Sequence, residues 1–273
     1  MKNIVWSASR IKKFHQCKNE YNLNYNVGVK ADWASPHTTK GSAFHYIAEH
    51  YRDNESLSFD QWVTKLREYE NYGKKLDIDS INLPELEAAF GNFKVFWKEF
   101  VVGGNFDQIH TEEKVEFSLD GASFQGVLDL VLIRGDEYIV LDYKTAKSGT
   151  GDHDLQLSVY IMAVHAKYAP QVPIKDFLQK ITVYIYYPYA KYKSSPLETL
   201  KSIKLKFSDV DISKDSILQT IDSIAEETEW KPTVSYACQF CIFQGHADYC
   251  SASLARGFHK VRGLVYTNKS AAT

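Results

Sequence analysis

Residues 126–147 read GVLDLVLIRGDEYIVLDYKTAK. Two runs rich in Val, Ile, Leu and Tyr flank Gly135-Asp136, which is how a tight β-hairpin reads. With those two residues as the loop, Arg134 faces Glu137, and counting back puts Asp129 opposite Asp142. Cross-strand partners lie side by side on one face, and the period of two brings Lys144 to that face as well. Two carboxylates and an ammonium therefore converge at the end of an otherwise apolar hairpin. Adjacent carboxylates repel, so one takes a proton or a cation sits between them. A divalent metal with oxygen ligands meets that need and leaves Lys144 for an anionic substrate or a water. The plainer alternative is a solvated strand end with a surface ion pair of little worth. The opposed Asp129 is what lifts the hairpin above that alternative.

The chain has 273 residues, enough to bury a full core. Apolar content of 44% and charged content of 24% describe an ordinary globular protein. The opening MKNIVWSASRIKKF lacks an apolar leader, and no stretch elsewhere is long enough to span a bilayer, so an intracellular, cytoplasmic protein is expected. A net charge of −2 gives no global pull toward nucleic acid. Local basic clusters, at Arg10, Lys12 and Lys13, at Lys191 and Lys193, and at Arg256, Lys260 and Arg262, suffice for a groove that meets a few phosphates.

The segment SASRIKKFHQCKNEYNLNY reads as a helix capped by Ser7 or Ser9, with Cys17 inside it. In HTTKGSAFHYIAEHY, Gly41, His45 and Glu49 recur every four residues and share one helix face. Asp60 or Ser58 caps a helix with Trp62, Leu66 and Tyr69. Pro84 opens another whose stripe of Leu86, Phe90, Phe93, Trp97 and Phe100 reads as core packing. EEKVEFSL, a turn at Asp120-Gly121 and the hairpin follow. The Gly-rich SGTGDHD then leads into the helix DLQLSVYIMAVHAKY, where Gln156 and Tyr160 lie one turn apart, by default an exposed pair. ITVYIYYP and KSIKLKF read as strands and SKDSILQTIDSIAEE as an amphipathic helix. The core order is helix, three antiparallel strands, helix, strand.

Cysteine occurs four times, as Cys17 and as the cluster Cys238, Cys241 and Cys250. Structural disulfides do not suit a reducing cytosol, and the CxxC lacks the βαβ setting of a redox pair. Four thiolates suit zinc or an iron–sulfur cluster, and spacing leaves that choice open. Either would staple the N-terminal helix to the C-terminal tail; the alternative is buried cysteines in two unrelated places.

Together these segments resemble the PD-(D/E)XK nuclease superfamily, in its RecB-type, CRISPR-associated-type exonuclease branch with an iron–sulfur staple. SASRIKKFHQC resembles the branch's N-terminal cysteine segment, and Gly41, His45 and Glu49 its histidine motif. GVLDLV resembles the first acidic motif, LDYKT the D-x-K motif, QLSVY the Q-x-x-x-Y helix, and CQFCIFQGHADYC the terminal cysteine triplet. Leu128 stands where the superfamily's proline is expected, and the gap from Cys241 to Cys250 is wider than the branch pattern. No phosphate-binding loop of an ATP motor occurs.

The resemblance implies an α/β (α+β) fold, a restriction-endonuclease-like αβββαβ core with a helical insertion. Residues 1–273 form a single domain, with an iron–sulfur lobe from 1–30 and 230–262, a helical region at 41–104 and the nuclease core at 110–207. It implies a metal-dependent DNA exonuclease acting on single-stranded ends, with endonuclease activity on the side and a role in DNA recombination or repair. His45, Asp129, Asp142 and the backbone carbonyl of Tyr143 would hold Mn²⁺ or Mg²⁺. Lys144 would orient the attacking water or offset phosphate charge, and Gln156 and Tyr160 would position the lysine or the strand. Cys17, Cys238, Cys241 and Cys250 would hold a [4Fe-4S] cluster, with structural zinc the alternative. Candidate partners are DNA and a helicase, recombinase or integrase, with no membrane; a phage or viral source fits a compact stand-alone enzyme. The competing class is a non-catalytic DNA-binding or recombination-mediator protein on the same fold.

Overall fold

In the computed structural model, the described residues are 4–31, 35–71, 74–147, 154–235, 237–238, 241–243, 248–250, 252 and 264–266. SGTGDHD up to Asp154, part of CQFCIFQGHADYC, and Arg256, Lys260 and Arg262 lie outside them. In chain order the α-helices are α1 Ala8–Gln16, α2 Lys18–Tyr21, α3 Pro36–His50, α4 Phe59–Glu68, α5 Leu83–Phe96, α6 Asp154–Tyr168, α7 Ile174–Phe177 and α8 Phe207–Glu226. The strands are β1 Val29–Ala31, β2 Glu70–Asn71, β3 Lys74–Lys75, β4 Gln108–Leu119, β5 Ala122–Arg134, β6 Glu137–Tyr143, β7 Ile181–Tyr186, β8 Leu200–Ile203 and β9 Leu264–Tyr266. None of the described helices is long and apolar enough to cross a membrane.

The chain divides into two compact units, one of Met1–Val5 with Ala34–Asp211, the other of Trp6–Trp33 with Ile212–Thr273. The first contains a five-stranded mixed sheet in the order β4-β5-β6-β7-β8. Strands β4, β5 and β6 form an antiparallel meander, α6 crosses over to place β7 parallel to β6, and β8 returns antiparallel. That is the helix, three strands, helix, strand order read from the sequence, and the further strand read in KSIKLKF is the edge strand β8, which ends at Ile203. The meander's two turns follow from local chemistry. Asp120 and Gly121 both have positive φ, 47° and 86°, as a type I′ turn demands. Gly135 at φ 57° takes the first central position of the second turn, where glycine meets no steric penalty. Arg134 and Glu137 pair across it at 2.8 Å.

One sheet face carries Leu130, Leu132, Leu141, Tyr143 and Tyr186, which pack against α3, α4 and α5. The stripe is buried as the sequence predicts, with Leu86, Phe90 and Phe93 of α5 and Trp97 of the π-helix Trp97–Val102 that continues it in one core cluster, and Phe100 partly so. Full burial of each such aromatic contributes on the order of 1.5–3 kcal/mol. Helix α4 starts on a complete capping box, in which Ser58 and Gln61 satisfy each other's backbone amides.

The second unit departs from the sequence reading. The single helix expected through Cys17 is broken: Cys17 itself is extended, at φ −165° and ψ 113°, between α1 and α2, and a π-helix Asn22–Val27 follows. Tertiary demand overrides helix propensity here. The break brings the Cys17 sulfur to the amide of Thr233, 216 residues away, at 3.3 Å. Arg10 lies over the rings of Trp6, Tyr21 and Tyr25, and Tyr21 stacks on Trp230 at 5.8 Å, fixing both ends of the unit together.

Candidate active site

The β5–β6 ladder follows the predicted register from Arg134↔Glu137 to Leu130↔Leu141. Asp129 and Asp142 occupy the next step, where the pairing stops. Asp129 explains why: its Oδ2 accepts the Tyr143 amide proton at 2.5 Å, so a side chain replaces the main-chain partner at that strand end. On the other side of β5, Thr111↔Leu130 and Glu113↔Leu128 pair, but the intervening Glu112 does not pair with Asp129. Glu112 has φ 46°, in the left-handed region that costs a non-glycine residue about 1–2 kcal/mol. Asp129 therefore stands in a gap where the β5–β6 ladder ends and the β4–β5 ladder is interrupted.

Helix α3 delivers His45 into this gap. Its Nδ1 lies 3.2 Å from Asp129 and 3.5 Å from Glu112. Ligand atoms of His45, Glu112 and Asp129 all fall within 4.8 Å of one another, a compact donor set suited to a divalent cation. Burial opposes charge on His45, but Asp129 and Glu112 outweigh it and push the imidazole up to about 10. Glu112 is the residue that sequence reading missed. The signal was present: the hairpin count applied to Asp129–Asp142, repeated from the Asp120-Gly121 turn, puts Glu112 opposite Asp129.

Asp142 faces a different set of groups. It is buried, and Lys144 Nζ lies 2.6 Å from its Oδ2. Gln156 donates to its Oδ1 at 3.0 Å and accepts from Lys144 at 3.3 Å, while the Tyr160 hydroxyl donates to the same Oδ1 at 3.2 Å. Burial first and Asp129 second raise the Asp142 carboxyl, with Lys144 working the other way. The default reading of Gln156 and Tyr160 as an exposed pair fails, because Tyr160 is buried and both side chains turn inward to Asp142. Tyr143 sends its ring into the core against Phe44 and Phe93, and its amide serves Asp129. Glu49 and Gly41 lie on α3 with His45, where Gly41 faces the Thr145 hydroxyl; a Cβ there would meet it at 3.6 Å.

His45, Glu112 and Asp129 can hold a cation. Beside them Asp142 and Gln156 grip the Lys144 ammonium, and Gln156 and Tyr160 bond to Asp142. Lys144 is thereby fixed by two partners while 27% of its side chain remains exposed.

In the other unit, Cys17, Cys238, Cys241 and Cys250 line a single cavity together with Glu20 and Phe243. All four are half-buried and none forms a disulfide. Backbone amides of Thr233 and Ser235 point at the sulfurs of Cys17 and Cys238, at 3.3 and 3.4 Å. Burial, with Glu20 nearby, pushes the Cys241 thiol up to about 12, so thiolate there needs a positive group in the cavity. Four sulfur donors around one space, with amides aimed at them, fit a metal or an iron–sulfur cluster.

The model of the PD-(D/E)XK nuclease superfamily matches residues 5–246. No curated protein matches the chain. Among solved structures, a candidate exonuclease from Eubacterium rectale is similar at 15% identity, over 87% of this chain and 86% of its own, with a TM-score of 0.52. The protein SSO0001 is 18% identical over 90% of this chain and 95% of its own, with a TM-score of 0.35. VC1899 from Vibrio cholerae is 12% identical over 81% of this chain and 58% of its own, with a TM-score of 0.27. The first likeness extends to the fold; the other two superpose too poorly to add to it.

Proposed function

The chain belongs to the PD-(D/E)XK nuclease superfamily, and from that premise we propose that it is a metal-dependent DNA exonuclease acting on single-stranded ends and carrying a [4Fe-4S] cluster. The observation that carries the reading is Lys144, held at 2.6 Å from buried Asp142 and braced by Gln156, beside the donor group of His45, Glu112 and Asp129. Beside that ion pair, donor atoms of His45, Glu112 and Asp129 gather within 4.8 Å of one another, a second polar cluster that an isolated surface ion pair would not include.

His45, Asp129 and Asp142, with the Tyr143 carbonyl, are the proposed ligands for Mn²⁺ or Mg²⁺. A divalent cation bound there supplies Lewis-acid polarisation of the scissile phosphate and a more acidic water. Lys144 orients the attacking water or offsets charge developing on the phosphate oxygens. Gln156 keeps the ammonium aimed by accepting one of its protons, and Tyr160 holds Gln156 and Asp142 in register. Cys17, Cys238, Cys241 and Cys250 are the proposed cluster ligands; iron, sulfide and zinc analysis of the purified protein separates the cluster from zinc. Exonuclease action agrees with the name of the Eubacterium rectale protein, whose fold is shared.

The test uses single-stranded DNA labelled at either end, with Mn²⁺, comparing wild type with Asp142→Ala. Stepwise loss of label from one end by wild type alone supports the reading and gives the polarity. Absence of metal-dependent cleavage by protein that retains its cluster would favour the DNA-binding alternative. Copurification with an integrase, helicase or recombinase would assign the pathway.

A further inference from the structure

Glu113 follows the interrupted residue Glu112 and is gripped by the far end of α6. Lys167 Nζ pairs with Glu113 Oε1 and also donates to the Lys114 carbonyl at 2.9 Å. The Tyr168 hydroxyl donates to that same Glu113 oxygen at 2.6 Å. His110 Nδ1 lies 3.7 Å from Glu113 Oε2, and its ring sits 5.7 Å from that of Tyr168. In an unbroken strand, residues 110 and 113 project to opposite faces. Here both reach Tyr168, so the alternation is reset between them, and the residue with φ 46° is Glu112. Glycine would serve that backbone better. The residue present instead carries a carboxylate, 3.5 Å from His45 Nδ1 and within reach of Asp129. Strain of this kind persists where the surroundings over-determine it.

We infer that Glu112 is a ligand of a divalent cation on the β4 side of Asp129, and that Lys167 and Tyr168, by clamping Glu113, are the positioning residues that hold it in its strained backbone. This rests on the nuclease reading for the identity of the cation and adds a donor from outside the D…D-x-K hairpin. Glu112 joins the His45 and Asp129 donors from the β4 side of Asp129, and Asp142 stands on its β6 side. The clamp presents the Glu112 carboxylate before any substrate arrives, so it acts on metal affinity and not on DNA contact.

Metal-free protein titrated with Mn²⁺, with free ion followed by electron paramagnetic resonance, tests this without any cleavage assay. Glu112→Gln and Glu112→Gly should each weaken Mn²⁺ binding about tenfold or more, the scale of loss at metal-site partners. Metal-free Glu112→Gly should also melt above Glu112→Gln, since glycine relieves the backbone. Lys167→Met should weaken binding about tenfold with its Tm near wild type, and Lys167→Arg should restore it. Mn²⁺ binding that survives both Glu112 substitutions would make Glu112 a turn residue only and overturn the assignment, leaving the nuclease reading intact. Unchanged affinity in Lys167→Met overturns the clamp. Failure of wild type to take up Mn²⁺ overturns the ligand and the nuclease reading together.

Discussion

Lys144→Ala isolates the chemistry from the fold. The ammonium lies 2.6 Å from Asp142 Oδ2, and the Asp142 side chain is only 4% exposed. Breaking a buried pair by deleting one partner costs up to about 3–5 kcal/mol when the other charge is stranded. Asp142 has an escape, because burial and Asp129 already raise its carboxyl and the loss of Lys144 raises it further. It can take a proton and keep its bonds to Gln156 and Tyr160, so the stability loss should fall well below that ceiling. The sign follows from linkage. A carboxyl raised in the folded state binds a proton more tightly there than in the unfolded chain, so stability falls as pH rises through that window. The deficit of metal-free Lys144→Ala should therefore shrink as pH drops from neutrality toward the ordinary carboxylate range. Catalysis has no such escape. Removing one contact to developing charge lowers kcat by about 10²–10³, roughly 3–4 kcal/mol. Mn²⁺ affinity should hold or tighten, because a neighbouring positive charge is gone. Single-turnover degradation of end-labelled DNA, Mn²⁺ titration and thermal unfolding across pH measure all three. Cleavage within about threefold of wild type, or metal binding lost in parallel with activity, would refute the role assigned to Lys144.

Tyr160→Phe removes only a hydroxyl that donates to Asp142 and meets Gln156. It should cost about 1 kcal/mol in thermal stability and lower kcat more than it raises KM, and a pure KM effect would place Tyr160 in strand binding. Cys238→Ser should yield unstable, colourless protein, since a cluster that ties distant segments contributes to folding; a folded, coloured variant would remove Cys238 from the ligand set. Gly41→Ala should fold and keep most activity, because its Cβ would meet Thr145 at ordinary contact distance, and a large loss of activity would mean that α3 needs to come closer to β6 than it does here.

The sequence by itself determined the hairpin, its register and the side chains at its open end. Turn chemistry at Gly135-Asp136 and the period of two depend on neighbours in the chain, so counting was enough to bring Asp129, Asp142 and Lys144 together. The same held for the α5 stripe and for the order of helices and strands. Tertiary structure decided what each group then touches. Side chains of helix α6 reach Asp142 on β6, which turns Gln156 and Tyr160 from a pair read as exposed into partners of that carboxylate, with Tyr160 buried. Helix α3 crosses the opening and pairs His45 with Asp129 and Glu112. The donor group thus gathers on the β4 side of Asp129, where Lys144 is not. Cys17 lost its helix for the same reason, since contacts with Thr233 and the cavity of the other cysteines prevail over local propensity. Periodicity reports which face a residue takes; only packing between elements distant in sequence selects the atoms that face it.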